Sequence, residues 1–129
     1  MKKRLTVKQK NILDQSISVL HDGECECNRT HTQIILHYQE NMADGTVELE
    51  ANDEMLIIKR NAETQTRLLF RKGQKTTGMI TSQYGSFEIE LFTHFYQVRG
   101  NIIAIEYDVL SGADRTSFRF TWQIQELFA

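Results

Sequence analysis

With 129 residues, 40% of them hydrophobic, the chain is too short for two ordinary domains and too apolar to be mostly disordered. It contains no proline where average usage would place roughly six, which excludes proline-rich linkers, polyproline ligands and collagen-like segments. Its 15 basic and 17 acidic residues nearly balance, so the chain as a whole lacks the footprint of a nucleic-acid or membrane-surface binder.

The first forty residues read ambiguously. Leu5, Val7, Ile17, Val19, Ile34, Leu36 and Tyr38 suit strands, whereas Ile12, Leu13, Ser16, Ile17 and Leu20 also satisfy one or two helical turns; context favours strands. Turn signals punctuate the chain at Asp22-Gly23, Asp44-Gly45, Asn52-Asp53, Asn61-Ala62, Lys72-Gly73, Tyr84-Gly85, Arg99-Gly100 and Ser111-Gly112, the pattern of short strands joined by tight turns. Between them come the alternating runs Val47/Leu49/Ala51, Leu56/Ile58 and Leu68/Phe70. Residues 87 to 95 place Phe87, Ile89, Leu91, Thr93 and Phe95 on one face, with Phe92 as an exception on the other. Residues 101 to 110 gather Ile103, Ile105, Tyr107 and Val109, and the last segment gathers Phe118, Phe120, Trp122, Ile124 and Phe128. These are half-buried antiparallel strands. Nine or ten of them would leave unpaired edges in a small flat sheet. The expected architecture is therefore one all-β domain over residues 1 to 129, an antiparallel meander barrel, with a two-sheet sandwich second. Lys8 and Lys10 on the first strand would guard a residual edge.

Tyr84-Gly85, Phe87-Glu88-Ile89-Glu90-Leu91 and Thr93-His94 resemble the central segment of the YwiB-like family of small uncharacterised bacterial proteins. Gly100-Asn101-Ile102 leading to Glu106-Tyr107-Asp108-Val109-Leu110, the closing Gln123-Ile124-Gln125, Ile35 to Glu40, Lys59-Arg60 and Leu69-Phe70 with Gly73 extend the likeness over residues 5 to 127. It implies a calycin-like, that is lipocalin-like, β-barrel, and it supplies no catalytic residues to carry over. Gln83 stands where members often carry proline and Ala62 where glycine is common, departures that concern local turn shape. The single tryptophan, Trp122, lies in the last strand, whereas lipocalins carry a Gly-x-Trp near the first.

A barrel of this size either fills with side chains or holds one small ligand. Phe70, Phe87, Tyr107, Phe118, Phe120 and Trp122 would line the interior, with Arg60 to meet a carboxylate; the plainer reading is that these aromatics are simply core. Phe92, Ile102, Ala104 and Leu110 interrupt the polar faces of two strands expected to be hairpin partners, and would form an exposed patch suited to a homodimer. His21, Cys25, Cys27 and His31 have the donor types of a zinc site. In an extended strand, however, His21 and His31 would stand about 33 Å apart, so the favoured reading is surface thiols and solvated histidines on an irregular hairpin. Five bases without an acid in residues 1 to 10, and four in residues 64 to 84, flank a segment from Asp14 to Glu63 with eleven acids and three bases; solvated strand faces account for this without a polyanion. No catalytic motif spacing occurs, no cofactor is expected, and neither a spanning segment nor a signal peptide is visible. The resulting expectation is a cytoplasmic, non-enzymatic barrel that binds a small apolar or amphipathic ligand and neither nucleic acid nor membrane. The alternative is an interaction module or homodimeric scaffold with a packed core.

Overall fold

The glycine, asparagine and aspartate pairs that interrupt the period-two pattern turn the chain sharply, and the strands between them find their partners in their immediate sequence neighbours. A computed structural model, which describes residues 1–127, contains β1 (Lys2–Asn11), β2 (Ile17–Arg29), β3 (Ile34–Gln39), β4 (Thr46–Ala51), β5 (Met55–Asn61), β6 (Gln65–Arg71), β7 (Lys75–Ser82), β8 (Gly85–Arg99), β9 (Ile102–Ser111) and β10 (Asp114–Gln125). Each strand pairs antiparallel with the next, and β10 pairs back onto β1 from Arg4↔Gln125 to Asn11↔Phe118, closing the barrel. Phe128, assigned above to the inward face of the last strand, lies outside the described residues.

Closure corrects the role given to Lys8 and Lys10. Strand β1 is paired on both sides, so it has no edge to guard. Lys8 and Lys10 stand opposite Val19 and Ile17 of β2, whereas Lys2 and Arg4 lie against its acids, in the register Lys2↔Glu26 and Arg4↔Glu24. The Arg4 guanidinium reaches Asp22 at 2.8 Å and the terminal ammonium reaches Glu26 at 3.2 Å. The uneven charge along the chain is thus partly cross-strand complementarity, and at this exposure each pair adds little stability.

A meander has two ends. The turns after β1, β3, β5, β7 and β9 form the upper one; the turns after β2, β4, β6 and β8 form the lower, together with the N-terminus. Three irregularities decide what faces inward. Asp22-Gly23 is not a turn: both residues lie within β2, because the segments on either side of them pair with β1 rather than with each other. A register shift in the β1–β2 ladder places Leu20 between paired residues, so Leu20 packs against the core next to buried His21. Strand β3 pairs with β2 only from Glu26 to Arg29, and the β3–β4 loop covers the stretch above. The Asn41 side chain accepts from the Asp22 amide (3.0 Å) and donates to its carbonyl (2.7 Å), while the Met42 amide donates to the Leu20 carbonyl (3.3 Å). An asparagine side chain here takes the place of a strand's backbone.

The third irregularity is a bulge in β8, where the register with β9 shifts between Thr93 and Phe95 and leaves His94 over. One extra residue exchanges the two faces of a strand. Leu91 and Thr93 are buried before the bulge and Tyr96 after it, so Phe95 is not on the inward face with them as the uninterrupted alternation required. Its ring lies 5.7 Å from the Arg119 guanidinium carbon. Tyr96 takes the interior place, with its hydroxyl 2.5 Å from the Asn52 carbonyl and 3.0 Å from that of Met55, which ties the β4–β5 turn across the lower end. Leu5, Leu36, Leu49, Leu56, Phe70, Leu91, Ile103 and Ile105 are wholly buried and fill the barrel's middle and lower parts.

Candidate functional site

The upper part of the barrel is hollow. A partly open cavity of about 300 Å³ is lined by apolar groups of Leu20, Val47, Ile58, Leu68, Tyr107, Phe120 and Trp122 and by polar groups of Gln9, Tyr38, Glu40, Arg60 and Thr66. Strand alternation puts these residues there: Arg60 continues the inward series Leu56, Ile58, and Glu40 continues Ile34, Leu36, Tyr38. The aromatic wall is a column. Trp122 stacks on Phe120 (centroids 5.4 Å, 20° between planes), Phe120 on Tyr107 (6.1 Å, 23°), and Tyr107 meets Phe70 at 4.7 Å. The Trp122 indole N–H donates to the Tyr38 hydroxyl at 3.2 Å. Burial pushes the phenol pKa values of Tyr38 and Tyr107 up, so both keep their protons throughout the physiological range.

Across the cavity from that column, Arg60 Nε donates to Glu40 Oε1 at 2.7 Å. The Glu40 side chain is 3% exposed and that of Arg60 36%. The two come from β5 and from the end of β3, so the pair must cross the start of β4, where Gly45 stands. A Cβ on Gly45 would lie 2.3 Å from Glu40 Oε1 and 2.7 Å from Arg60 Nε. The absence of a side chain there is what lets the carboxylate and guanidinium meet.

Of the residues expected to line the interior, the structure brings together Arg60, Tyr107, Phe120 and Trp122. Phe70 is wholly buried beneath Tyr107, and Phe118 stands beside Tyr107 at 5.9 Å without lining the cavity. Phe87 is 56% exposed, because residues 85 to 89 of β8 pair with β7 alone and overhang the upper end. With Leu13, Ile17, Met42 and Tyr84, also exposed, Phe87 belongs to an apolar rim at that end. Sequence reasoning missed Glu40, although its parity with Tyr38 was a usable signal.

The four zinc-type donors do not assemble. His21, Cys25 and Cys27 are buried along β2, whereas His31 is exposed on the β2–β3 turn, and no group of three such ligands forms among the described residues. The favoured surface reading also needs correcting, since only His31 is solvated. His21 Nε2 lies 2.9 Å from the Glu24 carbonyl while Nδ1 has no partner among the described residues. Both thiols are free, and burial pushes Cys25 up to about 11 and raises Cys27. Thiolate is the reactive form. In the folded protein at pH 8, both should therefore react with a disulfide reagent more than ~10-fold slower than in urea, a difference that absorbance reads directly.

Phe92, Ile102, Ala104 and Leu110 do lie on adjacent, paired strands, but they form no single patch. Ile102 and Leu110 are about 26 Å apart along β9, Ala104 is only 8% exposed, and Asp108 pairs with Phe92 in the ladder between them. Phe92 packs edge-on against His94 (4.9 Å). Asp108, buried on the barrel's outer wall, has His94 Nε2 at 2.6 Å, Ser117 Oγ at 2.6 Å and Arg115 Nε at 3.3 Å. Serine and histidine both bond the carboxylate, which leaves the histidine unplaced to activate the serine. The cluster is a clamp across β8, β9 and β10.

A larger concavity, about 690 Å³ and open to solvent, lies around His37, Glu48, Lys59, Arg67 and Met79. It has neither the enclosure nor the aromatic wall of the interior cavity. No helix among the described residues is long and apolar enough to cross a membrane.

Comparison with known proteins agrees with the fold. The crystal structure of the ywiB protein from Bacillus subtilis superposes with a TM-score of 0.72 over 97% of this chain and 91% of that one, at 14% sequence identity. It shares the barrel, as the sequence resemblance implied. No curated protein matches the chain. A family model described as a domain of unknown function, DUF1934, matches residues 2–118, and the chain therefore belongs to the DUF1934 family.

Proposed function

We propose that this protein is a non-enzymatic bacterial carrier, held in the reducing cytoplasm, that binds a small amphipathic molecule inside the upper end of its barrel. The observation that carries this reading is the interior cavity of about 300 Å³ with an aromatic and aliphatic wall on one side and a buried glutamate paired to a half-buried arginine on the other. That volume is at the lower bound for small-molecule sites, and a few fixed polar groups in an apolar enclosure are their usual composition. The exposed apolar side chains at the upper end would meet a hydrophobic tail arriving from solvent, and the two unpaired cysteines suit a reducing compartment. Native mass spectrometry of the protein purified from its own host should show retained ligand mass. Bare subunits, together with no thermal shift across a panel of amphiphiles and metabolites, would overturn the proposal.

A further inference from the structure

The polar pole of the cavity carries no net charge, and this bears on the kind of head group it takes. Arg60 is the cation of the cavity lining and Glu40 its anion. They are joined through Arg60 Nε and Glu40 Oε1 at 2.7 Å, an attachment that leaves the two Nη groups as donors and Oε2 as an acceptor. The other polar groups around the cavity, those of Tyr38, Tyr107, Gln9 and Thr66, are neutral donors and acceptors. An anionic head group approaching Arg60 would therefore have to enter beside the buried carboxylate of Glu40. Its attraction to the guanidinium would be met by repulsion at similar range, and it would also lose its hydration. A hydroxyl or amide head can donate to Glu40 and accept from Arg60 with no charge left unpaired. The pair depends on Gly45, since a larger residue there would intrude on both atoms.

Resting on the carrier reading above, we infer that the ligand is an uncharged amphiphile, an alcohol or amide, and that Glu40 is the residue that turns carboxylates away. This differs from what Arg60 alone suggested in the sequence, where an unpaired arginine invited a carboxylate.

Trp122, the only tryptophan, lines the cavity and reports occupancy by its fluorescence. Titrating the intact protein at pH 8 with decanol, decanamide and decanoate should give affinities for the alcohol and amide at least ~10-fold above that for the carboxylate, a factor set by a single unfavourable charge contact of this kind. In Glu40→Gln the arginine loses its counter-charge, and decanoate should become the preferred ligand. Equal or tighter binding of decanoate by the natural protein would overturn the inference while leaving the carrier reading intact, as would a Glu40→Gln variant, folded by circular dichroism, that keeps the original order. Absence of any response to all three chains overturns the carrier reading and this inference with it. The ratio in the natural protein decides the question even where the variant folds poorly.

Discussion

Replacing Trp122 with alanine should lower the stability of the barrel by about 3–5 kcal/mol. The side chain is 1% exposed, stacks on Phe120 at 5.4 Å and bonds the Tyr38 hydroxyl at 3.2 Å, so its removal forfeits burial, a ring contact and a buried hydrogen bond together. The loss falls at one place in the structure. Trp122 on β10 and Tyr38 on β3 lie on opposite sides of β1 and β2 in the strand order, and the indole N–H joins them through the interior. Because a cavity of about 300 Å³ already adjoins the site, the space vacated would merge with it, and closely packed strands on either side have little freedom to collapse inward. Urea unfolding followed by circular dichroism should show a lower midpoint with an unchanged slope. Trp122→Phe, which keeps most of the apolar surface but not the N–H, should lose less than half as much. A loss below about 1 kcal/mol for the alanine variant would mean that the aromatic column only lines the hollow and does not hold its walls.

The barrel was legible because its causes are local and repeated. Burial alternates along β3 and β4, and an inward series such as Phe120, Trp122 and Ile124 on β10 needs only the period of a strand to find the inside. Seven of the eight turn signals fall at strand ends, and the four glycines with positive φ, at positions 73, 85, 100 and 112, all belong to them. What could not be read is what depends on a second strand. Asp22-Gly23 has the composition of a turn and the position of mid-strand residues, because β1 lies alongside both halves of β2 and holds them in one line. The bulge at His94 has no signature of its own in a segment that alternates plausibly through Phe95. The effect reaches the outer face too: Phe92 reads as an exposed apolar residue until Asp108, one strand over, draws His94 against its ring.

The candidate site shows the same division. Arg60, Tyr107, Phe120 and Trp122 follow from strand parity, whereas the neutrality of the pole depends on Glu40 meeting Arg60 across Gly45, one residue of β5 and two that flank the β3–β4 loop. Phe87 was misplaced for a related reason. Parity puts it on the inward face, but the face it belongs to overhangs the end of the barrel, and only the register of β8 against β9 shows that.

The outer clamp yields the second large effect, and its sign follows from the carboxylate. Covering by the surrounding side chains works against ionisation of Asp108, but hydrogen bonds from Ser117 and His94, with the nearby charges of His94 and Arg115, outweigh it and hold the carboxyl below the usual aspartate value. A carboxyl whose pKa is lower folded than unfolded contributes stability above its unfolded value, near 3.8, and that contribution is lost as pH falls through the lowered folded value. Asp108→Asn keeps the size and removes the charge that three donors converge on, so it should cost about 2–3 kcal/mol at pH 7. The difference from the natural protein should shrink as pH falls from about 5 to about 3, as urea midpoints measured across that range would show. Ser117→Ala, which removes one of three partners and leaves the charge satisfied by the other two, should cost about 1 kcal/mol. A difference between Asp108→Asn and the natural protein that stays constant down to pH 3 would show that the residue acts by packing alone. In that case the joining of β8, β9 and β10 at the bulge would rest on their backbone ladder and not on the ionised clamp.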